Sequence, residues 1–170
     1  MIDSKNNSNL IDRFPDLLAE WDYENNNANN IDVNTVTYGS HKLAAWKCIA
    51  YKHEYMMVVK ERVNGQGCPF CANKKVLRGF NDFMSKYPEI VRNEWDWINN
   101  DADEIKPDCI TAGTCRQVYF RCEDCKGSYK MAVNVKTAGN GCPYCSNHRV
   151  LTGFNDLQSC YPELVESEWN

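Results

Sequence analysis

The 170-residue sequence has no long apolar run and only three histidines. No hydrophobic stretch approaches the roughly 18 residues needed to cross a bilayer, so no membrane association is predicted. The first ten residues are polar and lack the apolar core of a secretory signal. Ten cysteines without such a signal predict a reducing, cytoplasmic location, where clustered thiols bind metal rather than form disulfides.

Catalytic motifs are scarce as well. The chain contains only three histidines, and it lacks a Gly-x-Ser-x-Gly turn, a glycine-rich phosphate loop and a His-Glu-x-x-His helix. We therefore predict that the protein is not an enzyme and takes no small-molecule substrate.

The cysteines are concentrated in pairs. Cys122 and Cys125 form one Cys-x-x-Cys pair, and Cys142 and Cys145 form a second pair sixteen residues later. Two such pairs at this separation are typical of a four-thiolate zinc site, with a disulfide or a chance arrangement as the alternatives. The intervening residues are sufficient for a β-hairpin that brings the second pair back to the first.

The chain is a tandem duplication. A shift of 74 residues superposes positions 31–82 on 105–156 without a gap and gives 20 identities in 52 positions. We assign repeat 1 to residues 10–78 and repeat 2 to residues 83–152. Residues 154–170 form a partial third repeat that contains only the opening helix, which we expect to cap repeat 2.

The predicted fold class is small α+β, with each repeat built from a zinc-bound β-hairpin lobe and a short helix. Each unit begins with an amphipathic helix between a proline and a tryptophan, and the tryptophans are predicted to be core residues rather than stacking platforms. The helices are expected at 15–21, 88–95 and 162–169, the strands at 44–48, 55–60, 118–122 and 129–134, an extended segment at 33–38, and polar loops at 24–30 and 99–104.

Repeat 1 lacks one of the four thiolates, because Tyr51 occupies the position of Cys125. His53, two residues later, is the predicted replacement, which gives a Cys₃His site with Cys48, Cys68 and Cys71. The chain is thus predicted to bind two zinc ions, both with closed, structural coordination. The remaining histidines and cysteines have no such argument and are predicted to be surface histidines and free thiols: His41, His148, Cys109, Cys115 and Cys160.

These residues resemble a known family. The Pro-Glu-Leu helix ending in Glu-Trp, the Trp-Lys-Cys and Phe-Arg-Cys strands, and the Gly-x-Gly-Cys-Pro-Tyr/Phe-Cys turns are similar to the probable zinc-ribbon, treble-clef-like repeats of bacteria, phages, large viruses and plants. The resemblance implies tandem treble-clef-like folds and a role in nucleic-acid binding, often beside endonuclease-like domains. This sequence contains no nuclease domain, and its first ligand pair, Cys48 and His53, is one residue more widely spaced than is usual.

The overall charge of −4 hides a strong segregation. Residues 36–78 contain eight basic and two acidic residues, residues 110–152 contain six basic and two acidic residues, and the rest of the chain contains five basic and 19 acidic residues. A thiolate site attracts some basic neighbours simply to offset its own charge. Beyond that, the segregation predicts that the zinc lobes bind DNA or RNA. The predicted phosphate contacts are Lys42, Lys47, Lys74, Lys75, Arg78, Arg116, Arg121 and Arg149.

The acidic remainder supports a second hypothesis. Acidic helices could bind a basic groove on a partner protein, which would make the chain an adaptor or an inhibitor of a nucleic-acid enzyme, encoded by a phage or mobile element. The sequence alone leaves both hypotheses open.

Overall fold

The structure is a computed structural model that describes residues 8–168. The chain divides into two compact units, one that ends at Lys75 and one that begins at Val76. Among the described residues, no helix combines the length and apolarity needed to cross a membrane.

Each unit is built around a two-stranded antiparallel sheet. In the first unit β1 (Leu43–Lys47) pairs with β2 (Glu54–Val58), and in the second unit β3 (Gln117–Arg121) pairs with β4 (Ser128–Ala132). The helices of the first unit are Leu10–Arg13, the 3₁₀ helix Pro15–Glu20, Tyr23–Ala28 and Val59–Val63. Those of the second unit are Phe83–Lys86, Pro88–Glu94, Trp97–Ala102, the 3₁₀ helix Pro107–Cys109, Val133–Thr137, Leu157–Cys160 and Pro162–Glu168.

A short helix precedes a tryptophan in both full repeats, but it is a 3₁₀ helix in one repeat and an α-helix in the other. Pro15–Glu20 is a 3₁₀ helix, whereas Pro88–Glu94 is an α-helix with one more residue. A 3₁₀ helix rises about 2.0 Å per residue against about 1.5 Å for an α-helix, so the shorter segment spans a similar distance. Trp21 and Trp95 follow these helices at 3% and 4% exposure, which confirms their prediction as core residues.

The core of each unit is aromatic and lies on one face of its hairpin. Trp21 stands edge-on to Trp46, with ring centroids 5.1 Å apart, and Trp95 stands edge-on to Phe120 at 6.1 Å. Backbone bridges join the same pairs, Trp21 to Trp46 and Trp95 to Phe120. Edge-to-face pairing of this kind adds to the free energy of burial, so each opening helix is fixed to its own hairpin.

The predicted polar loops at 24–30 and 99–104 are wrong, because both segments begin as helices. Asp22 caps Tyr23–Ala28 by accepting a hydrogen bond from the Asn25 amide, and Asp96 caps Trp97–Ala102 in the same way through the Asn99 amide. The asparagine-rich composition disfavours a helix, so these caps and tertiary contacts must stabilise it.

One buried asparagine in each of these helices forms the hydrogen bonds that join the helix to the first strand of the sheet. The Asn26 side chain accepts from the Ala45 amide and donates to the Ala45 carbonyl, both at 2.7 Å. Asn100 forms the same two hydrogen bonds with Tyr119, at 2.9 and 2.7 Å. The carboxamide therefore pairs with the outer edge of the first strand as a neighbouring strand would, and it satisfies backbone groups that would otherwise be buried without partners.

Two further expectations are corrected. Residues 33–38 form turns and a single bridge from Thr37 to Asn9 rather than a strand. The strands predicted to run to residues 60 and 134 end earlier, at Val58 and Ala132, and short helices follow them.

The terminal helices Leu157–Cys160 and Pro162–Glu168 are present but contain no buried residue. By contrast, the equivalent helices at the start of repeat 2, Phe83–Lys86 and Pro88–Glu94, bury Phe83 and Val91. Within the described residues, these two helices therefore do not bury side chains as a cap packed on repeat 2 would. The predicted end of the last helix, at Trp169, lies outside them.

Candidate metal centres

Each hairpin delivers two donor atoms to one end of its unit. Cys48 follows β1 and His53 precedes β2, and the Cys48 amide donates to the His53 carbonyl at 2.8 Å, which closes the loop between them. In the second unit the Cys122 amide donates to the Gly127 carbonyl at 3.0 Å. The two loops therefore have the same length and closure, although their second ligands lie at different positions.

The second pair of donors in each unit lies in a tight turn. The Ala72 amide donates to the Cys68 carbonyl, and the Lys74 and Lys75 amides both donate to the Pro69 carbonyl. Asn73 adopts a left-handed conformation with φ of 54°, which reverses the chain after Cys71. The equivalent Asn147 has φ of 57°, so the turn is repeated in the second unit.

The donor atoms converge into two tetrads. In one, Cys48, His53, Cys68 and Cys71 place their ligand atoms within 4.8 Å of one another. The other tetrad consists of Cys122, Cys125, Cys142 and Cys145, under the same limit. Both are the sets predicted from the repeat, and His53 indeed lies with the three thiols of repeat 1.

The sulfur separations fit a tetrahedral zinc ion. The Cys48–Cys71 Sγ distance is 3.5 Å, and the Cys122–Cys145 and Cys125–Cys142 distances are both 3.6 Å. Zinc–sulfur bonds of about 2.3 Å in a tetrahedron require sulfurs about 3.8 Å apart. A disulfide would require about 2.05 Å, so these thiols are not bridged. The donor sets Cys₃His and Cys₄ are both standard for structural zinc.

Backbone amides already favour the thiolate form of the first cysteine in each site. Burial opposes ionisation of Cys48, but hydrogen bonds from the Tyr51 amide, the Cys71 thiol and the Ala50 amide outweigh it and lower the pKa of this thiol. The pKa of Cys122 is likewise lowered, with hydrogen bonds from the amides of Cys125 and Asp124 among the causes. Zinc ligands must be deprotonated, so these amides prepare one thiolate per site for the metal.

The last cysteine of each site is difficult to ionise when no cation is present. Desolvation and the neighbouring thiols raise the pKa of Cys71 to about 12, and the same causes raise the pKa of Cys145 to about 12. The three sulfurs of repeat 1 and the four of repeat 2 cannot all ionise unless positive charge is placed among them, which is what a zinc ion supplies when bound.

The position equivalent to His53 is a closely packed glycine, Gly127, in repeat 2. A Cβ atom at Gly127 would lie 2.8 Å from the side chains of both Tyr144 and Leu151, so this position in repeat 2 cannot carry a side chain without displacing them. In repeat 1 the same position holds His53, whose ring is edge-on to Phe70 with centroids 6.0 Å apart. The position that sterics keep empty in repeat 2 thus supplies the fourth ligand in repeat 1.

A buried ionic network packs beside each metal centre. In repeat 1 the Arg62 Nε and the Tyr55 hydroxyl both donate to Glu20, at 3.0 and 3.1 Å. In repeat 2 the Lys136 ammonium donates to Glu94 at 2.6 Å and lies 3.3 Å from the Tyr129 hydroxyl. Burial and the nearby carboxylate raise the pKa of both tyrosines above the ordinary value.

The comparisons with known proteins agree with this geometry. A family model described as "Probable Treble clef zinc finger domain" matches the chain twice, over residues 17–74 and 92–148, which together cover more than half of its length. The chain belongs to this probable treble clef zinc finger family. A search of curated protein sequences returned no match. The protein is therefore a tandem treble clef zinc finger protein with two centres that fit zinc.

The predicted phosphate contacts fall into two groups. Three of them form ion pairs with carboxylates: Lys47 with Asp22 at 3.3 Å, Arg121 with Asp96 at 3.2 Å, and Arg78 with Asp108 at 3.2 Å. Lys47 and Arg121 thereby join the first strand to the helix cap. The other five are exposed: Lys42, Lys74, Lys75, Arg116 and Arg149.

Sequence reasoning missed the residues that hold the metal lobes to their helices. Asp22 and Asp96 each combine a helix cap with an ion pair, and Asn26 and Asn100 pair with the strand. The available signal was the duplication itself, since each pair of residues is separated by the repeat shift of 74. The predicted surface positions of His41 and His148 are confirmed, as both are exposed. Cys109, Cys115 and Cys160 lie outside both tetrads and are free thiols.

Proposed function

We propose that this treble clef protein is a non-enzymatic double zinc module that binds nucleic acid through its basic zinc lobes. Zinc with four protein ligands has no open position for water or substrate, which favours a structural role for both centres. The lobes would then be rigid frames that present cations at fixed places.

The observation that carries this proposal is the repetition of exposed cations at equivalent positions of both zinc lobes. Lys42 and Arg116 occupy equivalent positions just before the first strand, and Lys75 and Arg149 occupy equivalent positions just after the second metal turn. All four are exposed. Lys47 and Arg121, which are also equivalent, pair with buried carboxylates and serve the fold instead.

The duplicated cations are better explained by contacts with phosphates than by a contribution to the stability of the fold. Exposed ion pairs contribute little to stability, so a surface cation needs no structural partner. Contacts from lysine and arginine to phosphate carry no sequence information. We therefore propose that these four cations bind nucleic acid without recognising specific bases.

The direct test measures binding as a function of salt. Fluorescence anisotropy with labelled single-stranded and duplex DNA and with RNA is expected to show affinity that falls steeply as salt rises. The double variant Lys42→Glu/Lys75→Glu is expected to weaken binding at least tenfold. Arg92→Glu serves as the control, because Arg92 is exposed on an acidic helix and pairs with Glu89. Absent or salt-independent binding to all of these nucleic acids would contradict the proposal.

A protein partner is the second candidate, and one observation favours it. The helix Pro162–Glu168 carries three glutamates and no basic residue, and Leu157, Tyr161 and Leu164 on the terminal helices are 42%, 62% and 44% exposed. Apolar side chains framed by acidic ones fit a basic partner protein. Recovery of one stoichiometric partner that resists nuclease treatment, and its loss in Leu157→Ser/Leu164→Ser, would support this role. Recovery only through bridging nucleic acid would count against it.

A further inference from the structure

The tip of the first metal loop differs sharply between the repeats. In repeat 1 it exposes Ile49 and Tyr51, at 56% and 60%. The equivalent residues in repeat 2 are Glu123 and Cys125, an acid and a zinc ligand. Repeat 1 thus has an exposed aromatic ring where repeat 2 has a thiol of the metal tetrad, and an apolar residue where repeat 2 has an acid.

The Tyr51 ring is held in a defined orientation. It lies nearly parallel to the ring of the ligand His53, with centroids 5.6 Å apart and an interplanar angle of 15°. His53 belongs to a tetrad whose loop is closed by hydrogen bonds, so the tyrosine is stacked on a fixed support. An aromatic ring ordered before binding gives contact area at a low cost in conformational entropy.

Basic residues occur on both of the loops that supply ligands to this zinc centre. Lys52 follows Tyr51 directly, and its backbone is fixed with φ of 59° and an amide that donates to the Cys48 carbonyl at 2.8 Å. Lys74 and Lys75 follow the second metal turn, whose two cysteines share the tetrad with Cys48 and His53. The centre itself is less negative than a four-thiolate one, because a neutral imidazole replaces a thiolate.

An exposed ring and basic residues on the loops of one metal centre form the combination that single strands require. Unpaired bases stack on aromatic side chains while the phosphates contact basic residues. Bases inside a duplex are already stacked on each other and cannot reach such a ring.

We propose that Tyr51 is a stacking platform for an unpaired nucleobase, so that repeat 1 binds single-stranded DNA or RNA in preference to duplex. This inference rests on the proposed function and names its substrate class. Repeat 2 has the metal ligand Cys125 at this position, with Glu123 and Asp124 in the same loop, so it offers phosphate contacts but no stacking platform.

The test compares two tyrosines of the same repeat. Probes are fluorescent oligodeoxythymidine and oligouridine of twelve nucleotides and a twelve-base-pair DNA duplex. Tyr51→Leu keeps an apolar side chain beside His53 but removes the π face, and it is expected to weaken single-strand binding roughly 5- to 150-fold while duplex binding is unchanged. Tyr51→Trp is expected to retain or strengthen single-strand binding. Tyr23→Leu is the matched control, since Tyr23 is 49% exposed but lies outside the metal loops.

Zinc stoichiometry of each variant is measured by native mass spectrometry, because Tyr51 also contacts a ligand. A complementary measurement uses the unaltered protein, with photocrosslinking to oligonucleotides that contain 5-iodouracil and peptide mapping of the product. The expected crosslink is at Tyr51.

Two results would overturn the inference alone: unchanged single-strand affinity in zinc-loaded Tyr51→Leu, or crosslinks only at residues other than Tyr51, while wild-type binding stays salt-dependent. Failure of the wild-type protein to bind any nucleic acid would instead overturn the proposed function, and this inference with it.

Discussion

The two zinc lobes share a framework and differ in charge at the metal. Both close the first metal loop with the same backbone hydrogen bonds, stack a tryptophan against the hairpin and bury a carboxylate–cation pair. Both metal loops carry a lysine, Lys52 and the equivalent Lys126, but the loop of repeat 2 adds Glu123 and Asp124 beside a Cys₄ centre, where repeat 1 has Ile49 and Ala50 beside a Cys₃His centre. Duplication has preserved what holds each lobe together and has changed what each lobe presents to a polyanion.

Removal of a metal ligand is expected to have the largest effect and to be confined to one repeat. Cys142→Ser deletes one of four ligands in repeat 2, and structural zinc contributes on the order of 10 kcal/mol to the folding of small zinc domains. We expect native mass spectra with one zinc ion per chain and loss of dispersed amide signals from repeat 2. Cys68→Ser is the reciprocal variant for repeat 1, and retention of two zinc ions in either would contradict the assigned ligands.

Loss of a buried carboxylate ranks second. Glu94→Ala leaves the Lys136 ammonium, 7% exposed, without its anion and is expected to lower the free energy of unfolding by about 3–5 kcal/mol. Glu20→Ala is expected to do the same in repeat 1, where the Arg62 side chain is 14% exposed. The control is Arg92→Ala, which breaks a pair whose side chains are both 68% exposed and should change stability by no more than about 0.5 kcal/mol. Denaturant unfolding of the zinc-loaded protein measures all three, and equal effects of Glu94→Ala and Arg92→Ala would argue against the buried network.

The asparagines that pair with the strands come next. Asn26→Ala and Asn100→Ala each remove two buried hydrogen bonds and leave strand backbone groups unsatisfied, at an expected cost of about 2–3 kcal/mol. Asn27→Ala, on the exposed side of the same helix, is expected to be nearly neutral. Thermal unfolding distinguishes them. A neutral Asn26→Ala would mean that the helix does not depend on the strand.

The smallest expected effect tests the difference in charge directly. Glu123→Lys/Asp124→Lys gives the metal loop of repeat 2 the sign found in repeat 1, and we expect about fivefold tighter nucleic-acid binding at low salt with a steeper salt dependence. Titrations of anisotropy at several salt concentrations measure both quantities. An unchanged affinity would show that this loop lies away from the bound phosphates.

Self-comparison of the sequence was sufficient to predict the metal centres, because ligand spacing is local and the duplication supplied a second copy. It located His53 although repeat 1 lacks a cysteine at Tyr51. The close packing at Gly127 was not accessible, since it depends on Tyr144 and Leu151, which lie far from Gly127 in sequence and approach it only in the fold.

The helices at 23–28 and 97–102 escaped prediction for a related reason. Their asparagine-rich sequences have weak helical propensity, and their stability comes from a cap and from a strand 19 residues away. Ion pairs such as Glu20 with Arg62, 42 residues apart, are equally invisible to local patterns. Charge counts along the chain also could not show which cations form ion pairs with carboxylates in the fold, as Lys47, Arg78 and Arg121 do.

Native mass spectrometry of the zinc-loaded chain, with and without a twelve-nucleotide oligodeoxythymidine, tests the central claim most directly. The account predicts two zinc ions per chain in the free protein and a complex with the oligonucleotide that retains both ions and dissociates as salt rises. A chain that binds fewer than two zinc ions, or that carries two and forms no complex with the oligonucleotide, would contradict it.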